Sequence, residues 1–300
     1  MLAASPFVDR PIGDEASARP LAEALAGRLG LGEPVLLRAA MNATYIAGDV
    51  VIRVGRTTVP GHVAYDLAEV LLSAGISVPA PASGHPVEHD GDLTATAWQR
   101  IPTVDGGADW RTVGEMVARL HALDPAAVGG YPVPPATSFP WWHFDAMLLR
   151  VEPFVDAADL DVLAAAAARV AGWEDSVARE AWVLCHGDVH PHNVVAGPDG
   201  PVIVDWDLLC IAPAAWDHAP LRSMVERWGG DPAWCADFAA GAALAGDDEP
   251  LVERLVEGRL LAATLMRVIA EGADRSDDSE ASRRLRWWRR DPDAPYWSVV

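Results

Sequence analysis

Between Val183 and Val195 the chain reads VLCHGDVHPHNVV, three histidines, an aspartate and an asparagine within thirteen residues. Apolar residues flank this stretch, and VIVDWD follows, with Asp205 closing a second apolar run. Three roles fit so dense a polar cluster: a metal site, a phosphoryl-transfer site, or a polar knot that ties a loop. Alternate residues of an extended segment share a face, so His186, Asp188, His190 and His192 could converge on a metal. A hydrolytic zinc site usually draws further histidines from elsewhere. After His192 only His218 remains, and Pro191 breaks the strand.

Phosphoryl transfer fits better. It needs little covalent help from the protein: a carboxylate to orient the attacking hydroxyl, and oxygen ligands for a Mg²⁺ that bridges the phosphates. The protein-kinase catalytic loop supplies these with an Asp, an Asn five residues later, and a second Asp after a short hairpin. Asp188 and Asn193 have that spacing, and Asp205 lies 12 residues beyond, after the turn GPDG. Asp207 points the same way as Asp205 if the segment is extended, as a further metal contact or a hydrogen-bonded turn residue. His186 and His190 read as ties to the backbone, and His192 as a solvated side chain.

Such residues must be held by the elements around them. Leu21, Leu25 and Leu29 mark a helix over 15–30. PVLLRA reads as a strand, and ATYIAGDVVIRVG as a hairpin turning at Gly48-Asp49. A helix follows over 62–74, with Val63, Leu67, Val70 and Leu71 as its stripe, and then a second hairpin turning at Asp90-Gly91. Beyond a Pro/Gly-rich break the pattern turns helical, interrupted by AWVLCH and PVIVDWD as two short strands around the His-rich loop. The basic run RRLRWWRRD reads as a helix surface. The organisation expected is α+β: a β-rich lobe over 1–100, a hinge at about 99–106, and an α-rich lobe over 101–300.

Composition narrows the function. With 51% hydrophobic residues the chain can bury a substantial core, and no apolar run reaches the 18 or more residues of a membrane helix. The N-terminus lacks a basic region followed by an apolar segment, so no leader peptide is expected. Cys185, Cys210 and Cys235 form no metal spacing and read as reduced thiols of a cytoplasmic protein. A net charge of −20 argues against nucleic acid as a partner. All 23 basic residues are arginine. Schiff-base chemistry and the lysine-dependent phosphate loop are thereby excluded.

HGDVHPHNVV followed by VIVDWD resembles the aminoglycoside phosphotransferase-like kinases, which share the protein-kinase fold. Their loop reads His-Gly-Asp-x-His-x-x-Asn, filled here by His186, Gly187, Asp188, His190 and Asn193. PAAWDHA resembles the segment that follows in the family. The resemblance spans about 20–270 and implies a protein-kinase-like two-lobe fold, ATP or GTP as donor, and Mg²⁺. It implies Asp188 as the catalytic or hydroxyl-orienting group, Asn193 and Asp205 as metal ligands, and Asp217 as a brace for the loop.

In the small lobe, Arg53 of VVIRVGR stands where the family has a phosphate-binding lysine, and its acidic partner is expected on the following helix, at Asp66 rather than Glu69. Asn42, in a turn without glycine, matches an asparagine common there. Gln99 to Ile101 would meet the purine through their backbone, and Trp98 reads as core. The function expected is a kinase of a small hydroxyl-bearing acceptor, an antibiotic of aminoglycoside, macrolide or nucleoside type. Alternatives are a kinase of an amino alcohol, homoserine or sugar, and an inactive kinase-fold binding protein. The acceptor would lie within 130–160 and 215–275, which hold both tryptophans and acidic residues. The only partners expected are the nucleotide and the acceptor, for a monomer or homodimer without membrane contact.

Overall fold

The computed structural model describes residues 15–56, 60–243 and 248–298. The N-terminal stretch read for a leader peptide lies outside them. Strands β1 (Val35–Ala39), β2 (Ala43–Ala47), β3 (Val50–Arg56), β4 (Val87–Asp90) and β5 (Leu93–Gln99) form one antiparallel sheet in the order β1-β2-β3-β5-β4. The hairpins turn through Gly48 and Gly91, both at positive φ, which glycine adopts without steric cost. Alternation along β3 sends Ile52 and Val54 into a core beneath helix α1 (Glu15–Arg28), with Leu21 and Leu25 opposite. Val51, Arg53 and Gly55 therefore share the other face.

Helix α2 (His62–Ser73) packs differently. Val63, Leu67 and Leu71 join one buried cluster with Trp110, Val113 and Val117 of α3 (Trp110–His121), and with Leu184, Val194 and Ile203 around the His-rich loop. The hydrophobic core is thus continuous from the small lobe to the polar loop of the large one. Asp109 caps α3 by accepting from the amides of Arg111 and Thr112.

The large lobe continues with α4 (Phe144–Val151), α5 (Ala157–Val170), α6 (His218–Arg227), α7 (Pro232–Ala242), α8 (Glu249–Glu271) and α9 (Glu280–Trp288). Its core gathers tryptophans 142, 173, 182, 216, 288 and 297 around the buried face of α8. No helix among the described residues is long and apolar enough to cross a membrane.

The structure adds the partners of the two strands that flank the His-rich loop and changes one sequence expectation. β6 (Val183–Cys185) pairs with β9 (Cys210–Ala212), a strand hidden in LLCIAPA, while β7 (Val194–Gly197) and β8 (Gly200–Ile203) form their own hairpin. The expectation that changes is the basic run, which is not a plain helix surface. On α9, Arg284 is buried and paired with Glu280 at 2.9 Å, and Leu285 and Trp288 enter the core.

His218 begins α6, buried and edge-on to Phe238 with ring centroids 4.9 Å apart. Burial above all lowers its pKa to about 4. The unfolded chain takes up this proton near pH 6.5 and the native state does not, so the native state loses stability as pH falls from 6.5 towards 4. The loss from this group reaches about 3 kcal/mol, at 1.36 kcal/mol per pH unit. Urea unfolding at pH 7.5 and pH 5 should show His218→Gln losing less stability on acidification than the wild type.

Candidate active site

The His-rich loop leaves β6 through Gly187, whose φ is +87°. A Cβ there would lie 2.3 Å from the Leu208 carbonyl oxygen, so only glycine fits. The loop is held from below by Asp217, which is fully buried. Its carboxylate accepts from the amides of His186 at 3.0 Å and Gly187 at 2.7 Å, and His121 Nε2 lies 3.0 Å away. Burial would raise Asp217, but His121 and the loop amides outweigh it, and the pKa is lowered. His186 ties the loop to the next segment. Its Nδ1 accepts from the Asp188 amide at 3.2 Å, so its Nε2 donates to the Val204 carbonyl at 3.1 Å.

So presented, Asp188 has both carboxylate oxygens engaged. Asn193 Nδ2 donates to Oδ2 at 3.1 Å and to the Asp188 carbonyl at 2.9 Å, and His190 Nε2 lies 3.3 Å from Oδ2. Oδ1 accepts from Arg259 Nη2 of α8. Burial alone would raise Asp188, but Arg259 and then His190 hold it well below the usual carboxylate range. His192 is exposed.

The β7–β8 hairpin returns the chain so that the Val204 amide donates to the Asn193 carbonyl at 2.9 Å. Asp205 follows in the left-handed region, φ 64°, beside the Asp188 loop. Burial and the adjacent Asp207 charge push Asp205 up to about 6. From the small lobe, Arg53 reaches down to both: its Nη2 is 3.4 Å from Asp205 and in direct contact with Asp207. Burial would lower Arg53, but those two carboxylates raise it overall. Asn42 Nδ2 donates to Asp207 at 3.3 Å, lying over Gly55, where a Cβ would come 2.3 Å from its Oδ1.

Asn193 donates through Nδ2 and keeps its carbonyl oxygen free of the Asp188 contact. With Asp205 it forms an all-oxygen donor pair, and two adjacent carboxylates share a single guanidinium. That donor chemistry fits a hard divalent cation such as Mg²⁺. Residues 62–255 match the sequence profile of the phosphotransferase enzyme family. The chain belongs to that family.

No curated protein matches this phosphotransferase in sequence. Three solved structures show the protein-kinase-like fold it shares. A spectinomycin phosphotransferase bound to ADP and spectinomycin is 14% identical, with a TM-score of 0.64 over 91% of this chain and 94% of that one. An amicoumacin kinase bound to AMP-PNP, Ca²⁺ and its antibiotic is 14% identical, with a TM-score of 0.67 over 86% and 87%. A microcompartment-associated aminopropanol kinase is 18% identical, with a TM-score of 0.66 over 90% and 94%.

Within the phosphotransferase, Asp188, Asn193 and Asp205 come together, with Arg53 and Asn42 above them. Asp66 does not join them. It is exposed on α2, whose inner face is taken by Val63, Leu67 and Leu71, and Glu69 pairs with His85 at 3.4 Å. The acidic partner of Arg53 is Asp207. At the hinge, the Gln99 amide donates to Ala80 at 2.8 Å and the Arg100 amide to Asp49 at 2.9 Å. Those two donors are therefore not available to a base, whereas Ile101 follows the strand and its amide has no backbone acceptor among the described residues. Trp98 packs on Tyr65, with centroids 4.9 Å apart.

Two residues escaped the sequence reading. His121 sits beside the apolar stripe of α3, and that position was its only signal. Arg259 had none that set it apart from the other arginines. His121, Cys185 and Asp217 bring potential metal ligands within 4.8 Å of one another, but both Asp217 oxygens already accept loop amides. A cavity of about 560 Å³ lies elsewhere, between α4 and α5 around Trp142 and Trp173, and contains none of the loop residues.

Asp217→Asn swaps one of two acceptor oxygens for a donor, leaving a loop amide facing another N–H. The expected loss is about 2–4 kcal/mol in urea unfolding, typical of an unmatched buried polar group beside a lost charge.

Proposed function

We propose that this phosphotransferase transfers the γ-phosphoryl group of ATP or GTP to a hydroxyl of a small molecule, with Asp188 orienting that hydroxyl. The acceptor oxygen forms the new P–O bond. The bond from the γ-phosphorus to the bridging oxygen breaks with its electron pair on the departing nucleoside diphosphate, and the hydroxyl proton passes to Asp188. A carboxylate held so far below its usual range is a weak base. Its contribution is orientation, which suits a loose transition state in which the attacking oxygen keeps its proton until late.

Asn193 and Asp205 would hold Mg²⁺, which when bound neutralises charge on the phosphate oxygens. Arg53 and Asn42 lie against Asp205 and Asp207, and Arg53 would meet the nucleotide α- and β-phosphates there. Ile101 would offer its backbone to the base. The observation that carries this reading is the convergence of Asp188, Asn193 and Asp205 under an arginine from the opposite lobe. The 1–100 and 101–300 division fits two lobes that meet at this cleft.

The similar structures carry ligands or names that range from antibiotics to aminopropanol. Fold therefore leaves the acceptor open between the antibiotic and metabolite classes, and this chain's own residues must decide.

Asp188→Asn should lower transfer by about 10²–10⁴-fold, the usual worth of one positioned acid–base group, and leave Mg²⁺–AMP-PNP affinity within twofold. Near-wild-type turnover would refute the assignment. Arg53→Ala should raise the nucleotide KM or lower kcat at least ~10-fold, as for loss of a charge-assisted phosphate contact. Arg53→Lys should keep much of the activity. An inactive binding protein would show nucleotide affinity without transfer to any acceptor.

A further inference from the structure

Arg259 of α8 meets Asp188, the group that on the reading above orients the acceptor hydroxyl. Its Nη2 meets Asp188 Oδ1, and its Nη1 lies 3.4 Å from the Gly187 carbonyl. The other Asp188 oxygen is held by Asn193 and His190. An incoming hydroxyl therefore bonds Oδ1, beside the guanidinium. Arg259 is 24% exposed, and its hydrogen bonds among the described residues run through Nη1 and Nη2, leaving Nε without one. A guanidinium carries five N–H donors in a planar fork, so donors remain for a ligand.

Two neighbouring charges of α8 are committed elsewhere. Arg254 bonds the Arg169 carbonyl at 3.1 Å, and Glu257 pairs with Arg169. Arg259 alone turns to the loop. Gly258 makes this possible, since a Cβ there would lie 2.6 Å from the Trp142 ring, so the helix is pressed down onto the core beside the site.

On the phosphotransfer reading given above, we infer that the acceptor carries an anionic oxygen group, carboxylate or phosphate ester, next to the hydroxyl that is phosphorylated. Arg259 binds that group in bidentate fashion and so sets the hydroxyl on Asp188. An ammonium in the same place, as in an amino alcohol or an aminoglycoside, meets a like charge with little water between them, which disfavours it. The net charge of −20 does not oppose this. Exposed charges act over about one Debye length, roughly 8–10 Å, whereas Arg259 acts in contact.

The test measures binding in the presence of Mg²⁺–AMP-PNP, by calorimetry, for glycerate, glycerol 3-phosphate, glycerol, 1-amino-2-propanol and kanamycin. Glycerate or glycerol 3-phosphate should bind at least ~10-fold tighter than glycerol, as for one charge-assisted bidentate pair. The stronger of the two identifies the carboxylate or the phosphate. Arg259→Ala should erase this preference while Mg²⁺–AMP-PNP affinity stays within twofold, and Arg259→Lys should restore part of it. A merely structural Arg259 would weaken all five ligands alike. Tighter binding of the cationic ligands, no binding of either anion, or a preference that survives in Arg259→Ala would each overturn the inference. Failure of the wild type to bind Mg²⁺–AMP-PNP at all would instead overturn the phosphotransfer reading beneath it.

Discussion

A single buried carboxylate organises the site. Asp217 has no access to water, and its oxygens are satisfied by the amides of His186 and Gly187 and by His121. Those are the two residues immediately before Asp188, so the direction of the Asp188 side chain follows from a charge that never meets substrate. The left-handed Gly187 supplies the necessary turn, and the Leu208 carbonyl closes the space a side chain would need. His186 then passes the constraint on, because its ring bonds the Asp188 amide on one side and the Val204 carbonyl on the other. The segments that carry Asp188 and Asp205 are thereby fixed relative to each other through one imidazole.

The second organising contact runs between lobes. Arg53 rises from the centre of a sheet whose opposite face is packed on α1, so strand alternation leaves it no direction but the cleft. There it lies between Asp205 and Asp207. A guanidinium suits this position, since it can engage two carboxylates from its planar fork where an ammonium presents a point charge. The continuous core formed by α2, α3 and the loop strands supports the same approach of the lobes from behind.

The central motif was legible because its chemistry is local. Asp188 and Asn193 are five residues apart, and the hairpin to Asp205 announces itself by GPDG between two apolar runs. Hairpins and helices of the small lobe were legible through period and turn residues. Failures came wherever a partner is distant in sequence. Helical geometry favoured Asp66 over Glu69 as the mate of Arg53, but nothing in a linear text shows that Asp207, 154 residues away, arrives first. The β6–β9 pairing was hidden for the same reason, as was the use of the Gln99 and Arg100 amides inside the small lobe. The run RRLRWWRRD misled because charge suggests solvent, whereas Arg284 is buried against Glu280 and its neighbouring tryptophans. Arg259 belongs to this group too: its meaning lies in what α8 lies against.

The guanidinium at the mouth of the cleft also decides how the protein can be found. Reactive nucleotide analogues that acylate an amine beside the phosphates depend on a lysine in that position. This chain has no side-chain amine at all, so such reagents would pass through its cleft without leaving a mark. On the proposed function, a survey of nucleotide-binding proteins built on that chemistry would score this cleft as empty. Dicarbonyl reagents that condense with guanidinium groups would register it instead, and on the proposed function Arg53 would be the group that nucleotide shields.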